Sequence, residues 1–305
     1  MSLYLQSCDK TIKLETNSTK LEKFFISDPF PYAIIPNFKV GKTDVNSNFT
    51  LIYNDDNKRK IKKRNKIIEI SGKYHTDIPE PQFVFLALIC FEKIFQENEI
   101  YSLHAAAIEK NDNCTLLVGD TFSGKTSVVL ECCLNHDFKY ISDERTVIRF
   151  KDNKVSIEGG NELLSARKGF LQEYLKNNNV DILYSVAHDK KEFFQPEDCG
   201  MHKSILPKKL KNVVYIGIDK DYCNIEEISP FSAIWHLYRD LSFDIRTVGY
   251  GIFNFPFAFP SFDNEKIANR RLRNIKNAIE EKNIRLYEIR GPKEKIADAV
   301  DDLYE

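Results

Sequence analysis

The sequence has no excess of charge of either sign. Lys and Arg number 44 and Asp and Glu number 45 in 305 residues, so the formal net charge is −1. Nucleic-acid-binding proteins commonly carry a strong positive field, and this balance therefore argues against a nucleic-acid partner. One dense basic run occurs at residues 58–64, directly after Asp55, Asp56 and Asn57. We interpret this run as a solvated hairpin turn rather than a patch for an anionic partner.

Long apolar runs and a secretion signal are also lacking. The longest apolar run, residues 83–90, is too short to span a membrane and is typical of a buried helix. The first residues show neither the charged segment nor the apolar core of a signal peptide. The seven cysteines are odd in number and include no Cys-x-x-Cys pair. We therefore expect a protein of the reducing cytoplasm with no membrane partner.

Residues 116–126 carry the one strong motif. They read Leu-Leu-Val-Gly-Asp-Thr-Phe-Ser-Gly-Lys-Thr and match the phosphate-binding pattern G-x-x-x-x-G-K-[ST]. The four fixed letters would arise by chance in on the order of one chain in two hundred of this length and glycine content. The residues before the motif suit a buried strand, and residues 126–134 suit a helix packed on a sheet. This context predicts a loop that binds a polyphosphate.

Each fixed position of the motif has a chemical role. Gly119 and Gly124 allow the backbone to approach a polyphosphate closely, and successive N–H groups then form an anion nest at the helix N-terminus. Lys125 supplies a cation for the outer phosphates, and Thr126 supplies a hydroxyl for Mg²⁺. The predicted phosphate-binding residues of the cofactor site are Gly119, Asp120, Thr121, Phe122, Ser123, Gly124, Lys125, Thr126 and Ser127.

Two further segments flank the motif. A strand over residues 101–109 contains His104 and turns at residues 111–113 into the strand of the loop, so an antiparallel hairpin precedes the loop. After the helix, residues 138–150 predict two strand pieces with Asp143 and Glu144 at their joint. A carboxylate placed one helix beyond the loop returns to the same sheet edge, where it can face the terminal phosphate.

The remaining segments suggest a two-part chain. Residues 1–76 contain short strand candidates among Asn, Asp and Lys turns, and we expect a β-rich N-terminal region there, followed by a single domain over residues 77–305. The predicted strands of the N-terminal region cover residues 32–36, 49–53 and 66–70. In the larger domain we predict helices over 81–97, 162–177, 230–241, 263–282 and 292 onwards, strands at 213–219 and 285–289, and a polar loop over 186–211. These mixed signals indicate the α/β class.

The strand Leu-His-Ala-Ala-Ala at residues 103–107, the glycine loop, and Tyr-Ile-Ser-Asp-Glu at residues 140–144 resemble, in this order, the HPr kinase/phosphorylase C-terminal-like kinases. The resemblance covers roughly residues 80–305, and residues 286–292 are similar to the end of the smaller family members. It implies a P-loop-containing mixed sheet flanked by helices (HPr kinase/PEP carboxykinase-like), with the β-rich N-terminal region as a smaller addition.

The same resemblance implies an ATP- and Mg²⁺-dependent kinase that phosphorylates a serine hydroxyl. By position, Asp143 is the implied catalytic base, and Glu144 stands where family members usually have a second aspartate. Lys125 and His104 are the other implied catalytic residues, although His104 is equally compatible with a core histidine among alanines. The implied metal ligands are Thr126, Asp143 and Glu144. The basic, glycine-containing segment that serves phosphorolysis in bifunctional members is not found, which argues against a phosphorylase.

Several alternatives remain open from the sequence. The acceptor is a Ser or Thr hydroxyl of a peptide or protein, or a small molecule such as a free amino acid; a regulatory protein that binds ATP without transfer is a third reading. A peptide kinase needs an open groove by Asp143, and a small-molecule kinase needs a closed pocket, such as one under residues 253–259. Asp219 is a second candidate metal ligand, ranked below Asp143. Surface salt bridges are favoured for Glu162, Arg167 and Lys168, and an oligomer is left open.

Overall fold

The computed structural model describes residues 2–41, 46–152, 154–174, 181–186, 191–246, 251–254, 257–259 and 261–304. Its packing divides the chain into two compact units. The first unit comprises Met1–Tyr101 and Leu241–Asn269, and the second comprises Ser102–Asp240 and Arg270–Glu305. The domain boundary expected near residue 76 stays a prediction.

The elements are numbered in chain order. The strands are β1 (Ser2–Ser7), β2 (Lys10–Thr16), β3 (Lys39–Gly41), β4 (Phe49–Asp55), β5 (Lys60–Arg64), β6 (Ile67–Gly72), β7 (Ile100–Leu103), β8 (Ala105–Lys110), β9 (Asn113–Val118), β10 (Lys139–Ser142), β11 (Thr146–Lys151), β12 (Lys154–Gly160), β13 (Leu164–Arg167), β14 (Tyr184–Val186), β15 (Lys191–Phe194), β16 (Lys208–Ile218), β17 (Asn224–Glu227), β18 (Gly251–Ile252), β19 (Phe257–Ala258) and β20 (Arg285–Gly291). The helices are α1 (Thr19–Ser27), α2 (Phe30–Ile34), α3 (Glu80–Glu97), α4 (Lys125–Asn135), α5 (Phe170–Tyr174), α6 (Pro230–Ser242), α7 (Glu265–Glu280) and α8 (Lys293–Asp302), with a short 3-10 helix at Pro196–Cys199.

The first unit is built on a six-stranded sheet in the order β3-β1-β2-β4-β6-β5. Strands β2, β4 and β6 run parallel, and the two ends of the sheet are antiparallel. Helix α3 packs against β2 and β4. The helix predicted over residues 81–97 is confirmed as α3, which lies against this sheet and buries all its apolar residues from Phe83 to Phe95 except the half-buried Phe85.

Two predictions for the first unit are corrected. The strand expected at residues 32–36 is wrong, since Phe30–Ile34 form α2; Pro29 and Pro31 hold backbone angles suited to a first helical turn. The basic run, interpreted as a turn, instead forms strand β5 at the edge of the sheet, paired antiparallel with β6. Its exposed lysines keep that edge from pairing with another chain.

The second unit contains a larger mixed sheet with the order β10-β8-β9-β16-β12-β11. Strand β20 also pairs with β16, and β17 pairs with β20. The predicted hairpin is confirmed as β8 and β9, and β9 pairs on its other side, in parallel, with β16. Helices α4 and α8 pack together and bury a cluster that includes Leu117, Val129, Val214 and Val300. The α/β class with a mixed sheet and flanking helices is therefore correct.

Two segments of the second unit differ from the prediction. The helix expected over residues 162–177 is instead strand β13 followed by the short helix α5, because Gly169 takes a left-handed φ of 78° between them. Residues 175–177 of that prediction lie outside the described residues. Part of the expected polar loop over 186–211 is strand β15, whose Phe193 and Phe194 are buried. Strand β15 lies between β13 and β14 in a small antiparallel sheet.

Of the segments the structure describes, no helix is both long enough and apolar enough to cross a membrane.

Gly160 of β12 lies behind the turn between β10 and β11. A Cβ atom there would come 2.5 Å from the Ser142 Cβ and 2.6 Å from the Arg145 carbonyl oxygen. We expect Gly160→Ala to lower the free energy of unfolding by about 1–3 kcal/mol, measured by urea denaturation, because neither neighbour can move without disturbing the sheet. Gly217→Ala is the control, since its added methyl would meet only the Arg290 Cγ at 3.7 Å. Equal losses in the two variants would contradict this account.

Candidate functional site

The glycine loop connects β9 to α4 in the predicted order of strand, loop and helix. Gly124 is the N-cap of α4 and has a φ of 92°. Inside the loop the Ser123 N–H donates to the Asp120 carbonyl over 3.0 Å, and the Ser123 carbonyl accepts from the Ile218 N–H over 3.2 Å. The backbone arrangement matches the prediction, while what the loop binds stays a prediction.

Neither fixed glycine has room for a side chain. A Cβ on Gly124 would lie 2.2 Å from the Ile218 Cγ1, and its left-handed φ would strain any other residue. A Cβ on Gly119 would lie 2.4 Å from the Ser123 Oγ and 2.9 Å from the Ile216 carbonyl oxygen. The loop therefore packs tightly on the end of β16 and leaves its other side to the cavity.

Unpaired donors gather at the start of α4. The first N–H groups of any helix lack intrahelical acceptors, and within the described chain no side chain caps α4. The Ser123 Oγ is buried without a hydrogen-bond partner among the described residues. Lys125 is 8% exposed, and its Nζ donates to the carbonyls of Gly119 and Asp120 over 2.7 and 3.2 Å. These donors together make the loop suited to an anion.

Asp143 links the loop to the other wall of the site. It follows β10 and is 2% exposed. The Thr126 Oγ1 donates to Asp143, 3.0 Å from its Oδ1 and 3.1 Å from its Oδ2. The Ser165 N–H donates to the same Oδ2 over 3.0 Å, and the Ser165 Oγ lies 3.3 Å from it. The buried carboxylate thus holds α4 and β13 together.

Glu144 has a different set of partners. It accepts close hydrogen bonds from the Lys191 Nζ and the Ser165 Oγ. The His104 Nδ1 lies 3.7 Å from the Glu144 Oε2. His104 occupies the single residue between β7 and β8, and 44% of its side chain is exposed. The structure therefore places His104 at the cavity rather than in the core.

The pKa values of the two neighbouring carboxyls are shifted in opposite directions. Burial, followed by the negative charge of Glu144, raises the pKa of Asp143 to about 6. Burial would also raise the pKa of Glu144, but the positive charge of Lys191, neighbouring His104 and the hydrogen bonds from Lys191 and Ser165 together outweigh burial and hold that pKa below its usual range. Burial and the charge of Lys125 lower the pKa of His104 to about 4. At neutral pH His104 is therefore uncharged and Glu144 is ionised.

These residues surround one cavity of about 330 Å³ within the second unit. The predicted residues that line it are His104, Thr121, Phe122, Gly124, Lys125, Thr126, Ser127, Asp143 and Glu144. Gly119, Asp120 and Ser123 belong to the loop but do not line the cavity. The structure thus gathers the catalytic and metal-binding candidates in one place; their roles stay predictions.

Sequence reasoning missed two residues of this cavity and misjudged a third. Ser165 lay in a predicted helix and Lys191 in a predicted loop, and no motif marks either. Arg167 was expected to form a surface salt bridge, but its guanidinium carbon lies 3.9 Å from the centre of the Phe122 ring at the cavity. Only the buried residues Leu164 and Ala166, spaced two apart, could have signalled the strand that carries Ser165 and Arg167.

Asp219, the second candidate metal ligand, does not line the cavity. It directly follows β16, and its side chain accepts from the Asp221 N–H over 3.0 Å. Across the described residues, no three His, Cys, Asp or Glu side chains are grouped to hold a metal ion. The Thr126 hydroxyl and the Asp143 carboxylate nevertheless form an adjacent pair of oxygen donors. That pair suits Mg²⁺, which retains several waters and needs few protein ligands.

No family model matches this sequence, and no curated protein matches it. Among solved structures, the chain is similar to the Hpr(Ser) kinase/phosphatase from Coxiella burnetii, with 9% sequence identity and a TM-score of 0.31. The match covers 67% of this chain and 93% of the other. A likeness this low supports no argument about function, and membership of the HPr kinase-like family stays a prediction.

Asp143→Asn should change how stability depends on pH. Because the folded state raises the pKa of Asp143 to about 6, ionising this carboxyl destabilises the fold as pH rises from about 4 to about 6. Asn cannot ionise, so we expect the variant to gain on the order of 2 kcal/mol relative to the wild type between about pH 4 and pH 7. Urea denaturation across this range measures the difference.

The control for this experiment is Asp219→Asn, which removes a half-buried carboxylate outside the cavity. Its stability relative to the wild type should change less over the same pH range. A difference between Asp143→Asn and the wild type that is independent of pH would show that Asp143 ionises at its ordinary pKa.

Proposed function

We propose that this cavity binds the phosphates of ATP with Mg²⁺ and transfers the γ-phosphoryl group to a Ser or Thr hydroxyl of a peptide or protein. The observation that carries the proposal is the contact of the Thr126 hydroxyl with the buried Asp143 carboxylate. It brings a glycine loop rich in donors and a candidate base to the same cavity. Phosphoryl transfer needs chiefly such positioning and charge neutralisation.

The glycine loop is the proposed phosphate site. The N–H groups at the start of α4 and the Ser123 Oγ offer donors that lack protein acceptors among the described residues. The Lys125 ammonium rests on two loop carbonyls, and a small rotation would exchange these for phosphate oxygens. Close approach of the phosphates is supported by the two glycines, which expose backbone without side chains.

Thr126 and the acid pair are the proposed holders of Mg²⁺. Hydroxyl and carboxylate oxygens are its preferred protein ligands, and the ion would neutralise charge on the phosphates. Glu144 is kept ionised by Lys191 and faces the same cavity, so it can support the ion directly or through water.

Asp143 is the proposed base. It would take the proton of the acceptor hydroxyl while that oxygen bonds to the γ-phosphorus and the bond to the β-phosphate oxygen breaks, leaving ADP. A base works best when its pKa lies near the working pH, and burial raises the pKa of Asp143 toward neutral pH. His104 is uncharged at neutral pH, which supports a role as a hydrogen-bonding neighbour rather than a cation.

A small-molecule acceptor and ATP binding without transfer are the alternatives. The pocket considered for a small acceptor involves residues 253–259, which belong to the first unit, and residues 255 and 256 lie outside the described residues. The three functions differ in the product formed from labelled ATP: a labelled peptide, a labelled small molecule, or neither.

We expect transfer of label from γ-labelled ATP with Mg²⁺ to a Ser- and Thr-containing peptide library. Asp143→Asn should still bind ATP in calorimetry, because the loop and Lys125 hold the phosphates, but it should lose transfer by about a hundredfold or more, since the acceptor proton has no base. Asp219→Asn should retain both. Label on free serine alone would favour the small-molecule acceptor, and near-normal transfer by Asp143→Asn would remove it as the base.

Lys125→Ala should lose both ATP affinity and transfer, because the outer phosphates lose their cation. Removing one such group usually costs about a hundredfold or more in turnover. The same labelled-ATP assay and calorimetry measure the two effects, with the exposed Lys168→Ala as the matched control. Unchanged turnover in Lys125→Ala would contradict nucleotide binding by the loop.

A further inference from the structure

One short strand, β13, reaches both walls of the cavity. Side chains two apart on a strand lie on the same face. Ser165 contacts the acid pair, and Arg167, two residues later, stacks on Phe122 at the tip of the glycine loop. All three residues line the cavity, so a ligand between loop and acid pair would lie beside β13.

Arg167 and Lys191 are direct partners in the pairing of β13 with β15. Like charges directly opposite each other destabilise an antiparallel pair. Both side chains line the cavity, and only one of them has an acidic partner. Lys191 bonds to Glu144, whereas Arg167 forms no ion pair with any described residue. This arrangement leaves one cation facing the cavity without a counter-charge.

The Phe122 ring stacks against the Arg167 guanidinium. Phe122 lies in the loop with a left-handed φ of 74°, and 75% of it is exposed. This backbone conformation is strained for an aromatic residue. Because the ring is exposed, its burial does not offset the strain. The stacking of the guanidinium on the ring fixes both side chains at the cavity mouth.

The charged side chains that line the cavity favour a bound polyanion. Three cations line the cavity, from Lys125, Lys191 and Arg167, against the two carboxyls of Asp143 and Glu144. Phosphates bound by the loop would present their terminal group toward Asp143. Arg167 contacts the loop tip through Phe122, and Ser165, two residues earlier on β13, contacts that acid.

We propose that Arg167 binds the terminal phosphate of ATP and that Phe122 positions it. The inference rests on the proposed function and names an additional phosphate ligand for it. The planar guanidinium can donate two parallel hydrogen bonds to phosphate oxygens, which an ammonium cannot do. Arg167 thereby distinguishes ATP, which has the terminal phosphate, from ADP, which lacks it.

Calorimetry with Mg²⁺ and either ATP or ADP tests this proposal. Arg167→Ala should weaken ATP binding about tenfold or more, since charged hydrogen bonds are lost, and leave ADP binding unchanged. Lys168→Ala is the matched control, because Lys168 is the exposed neighbour and does not line the cavity. Arg167→Lys should recover only part of the ATP affinity, because it keeps the charge without the planar fork.

Phe122→Leu tests the positioning role. It keeps an apolar side chain but removes the aromatic face, so it should weaken ATP binding in the wild-type background. In the Arg167→Ala background the same change should have no further effect, since residues acting through one contact are not additive. Additive effects would show that Phe122 acts independently of Arg167.

The outcomes separate this inference from the proposed function. Binding of neither nucleotide by the wild type would overturn both. Binding of both nucleotides, with Arg167→Ala weakening the two equally or not at all, would overturn the inference alone. A rise in the KM for the acceptor peptide with unchanged ATP affinity would place the anion on the acceptor and would likewise overturn it.

Discussion

The structure of the site depends on the burial of the Asp143 carboxylate. A carboxylate removed from water is strongly destabilising unless donors surround it. Here the donors are the Thr126 hydroxyl and the Ser165 backbone N–H. Because these belong to α4 and β13, satisfying one buried acid fixes the relative positions of the glycine loop, the turn after β10 and the small sheet. The same bonds that make the burial tolerable therefore assemble the cavity.

The acid pair shows how neighbouring residues of one chemical type acquire different properties. Asp143 has hydrogen-bond donors but, among the described residues, no cation within hydrogen-bond distance, so burial and the adjacent Glu144 dominate and raise its pKa. Glu144 has Lys191 in contact, and its pKa is lowered. Environments that separate two pKa values in this way are typical of sites that divide the roles of proton acceptor and permanent charge. The two pKa values differ in this way because Lys191 bonds to Glu144.

The sequence predicted those parts of the site whose signals are local. The glycines, Lys125 and Thr126 lie in one motif, and the break before Asp143 follows from a turn between two short strands. Ser165 and Lys191 could not be predicted, since they reach the cavity only through the pairing of β13 with β15, and no local pattern specifies that register. Propensity also failed at Phe30–Ile34, where proline geometry outweighed the aliphatic residues that suggested a strand.

The parallel pairing of β9 with β16 has a consequence for how the chain folds. Ile218, at the end of β16, packs against Gly124 and bonds to Ser123, yet it is synthesised long after the loop that it supports. Local contacts form early, whereas distant strand pairing must first overcome the entropy of closing a long loop. The hairpin of β8 and β9 can thus form as soon as it leaves the ribosome, but the loop acquires its final shape only after β16 has docked. The final shape of the glycine loop is therefore a late event in folding.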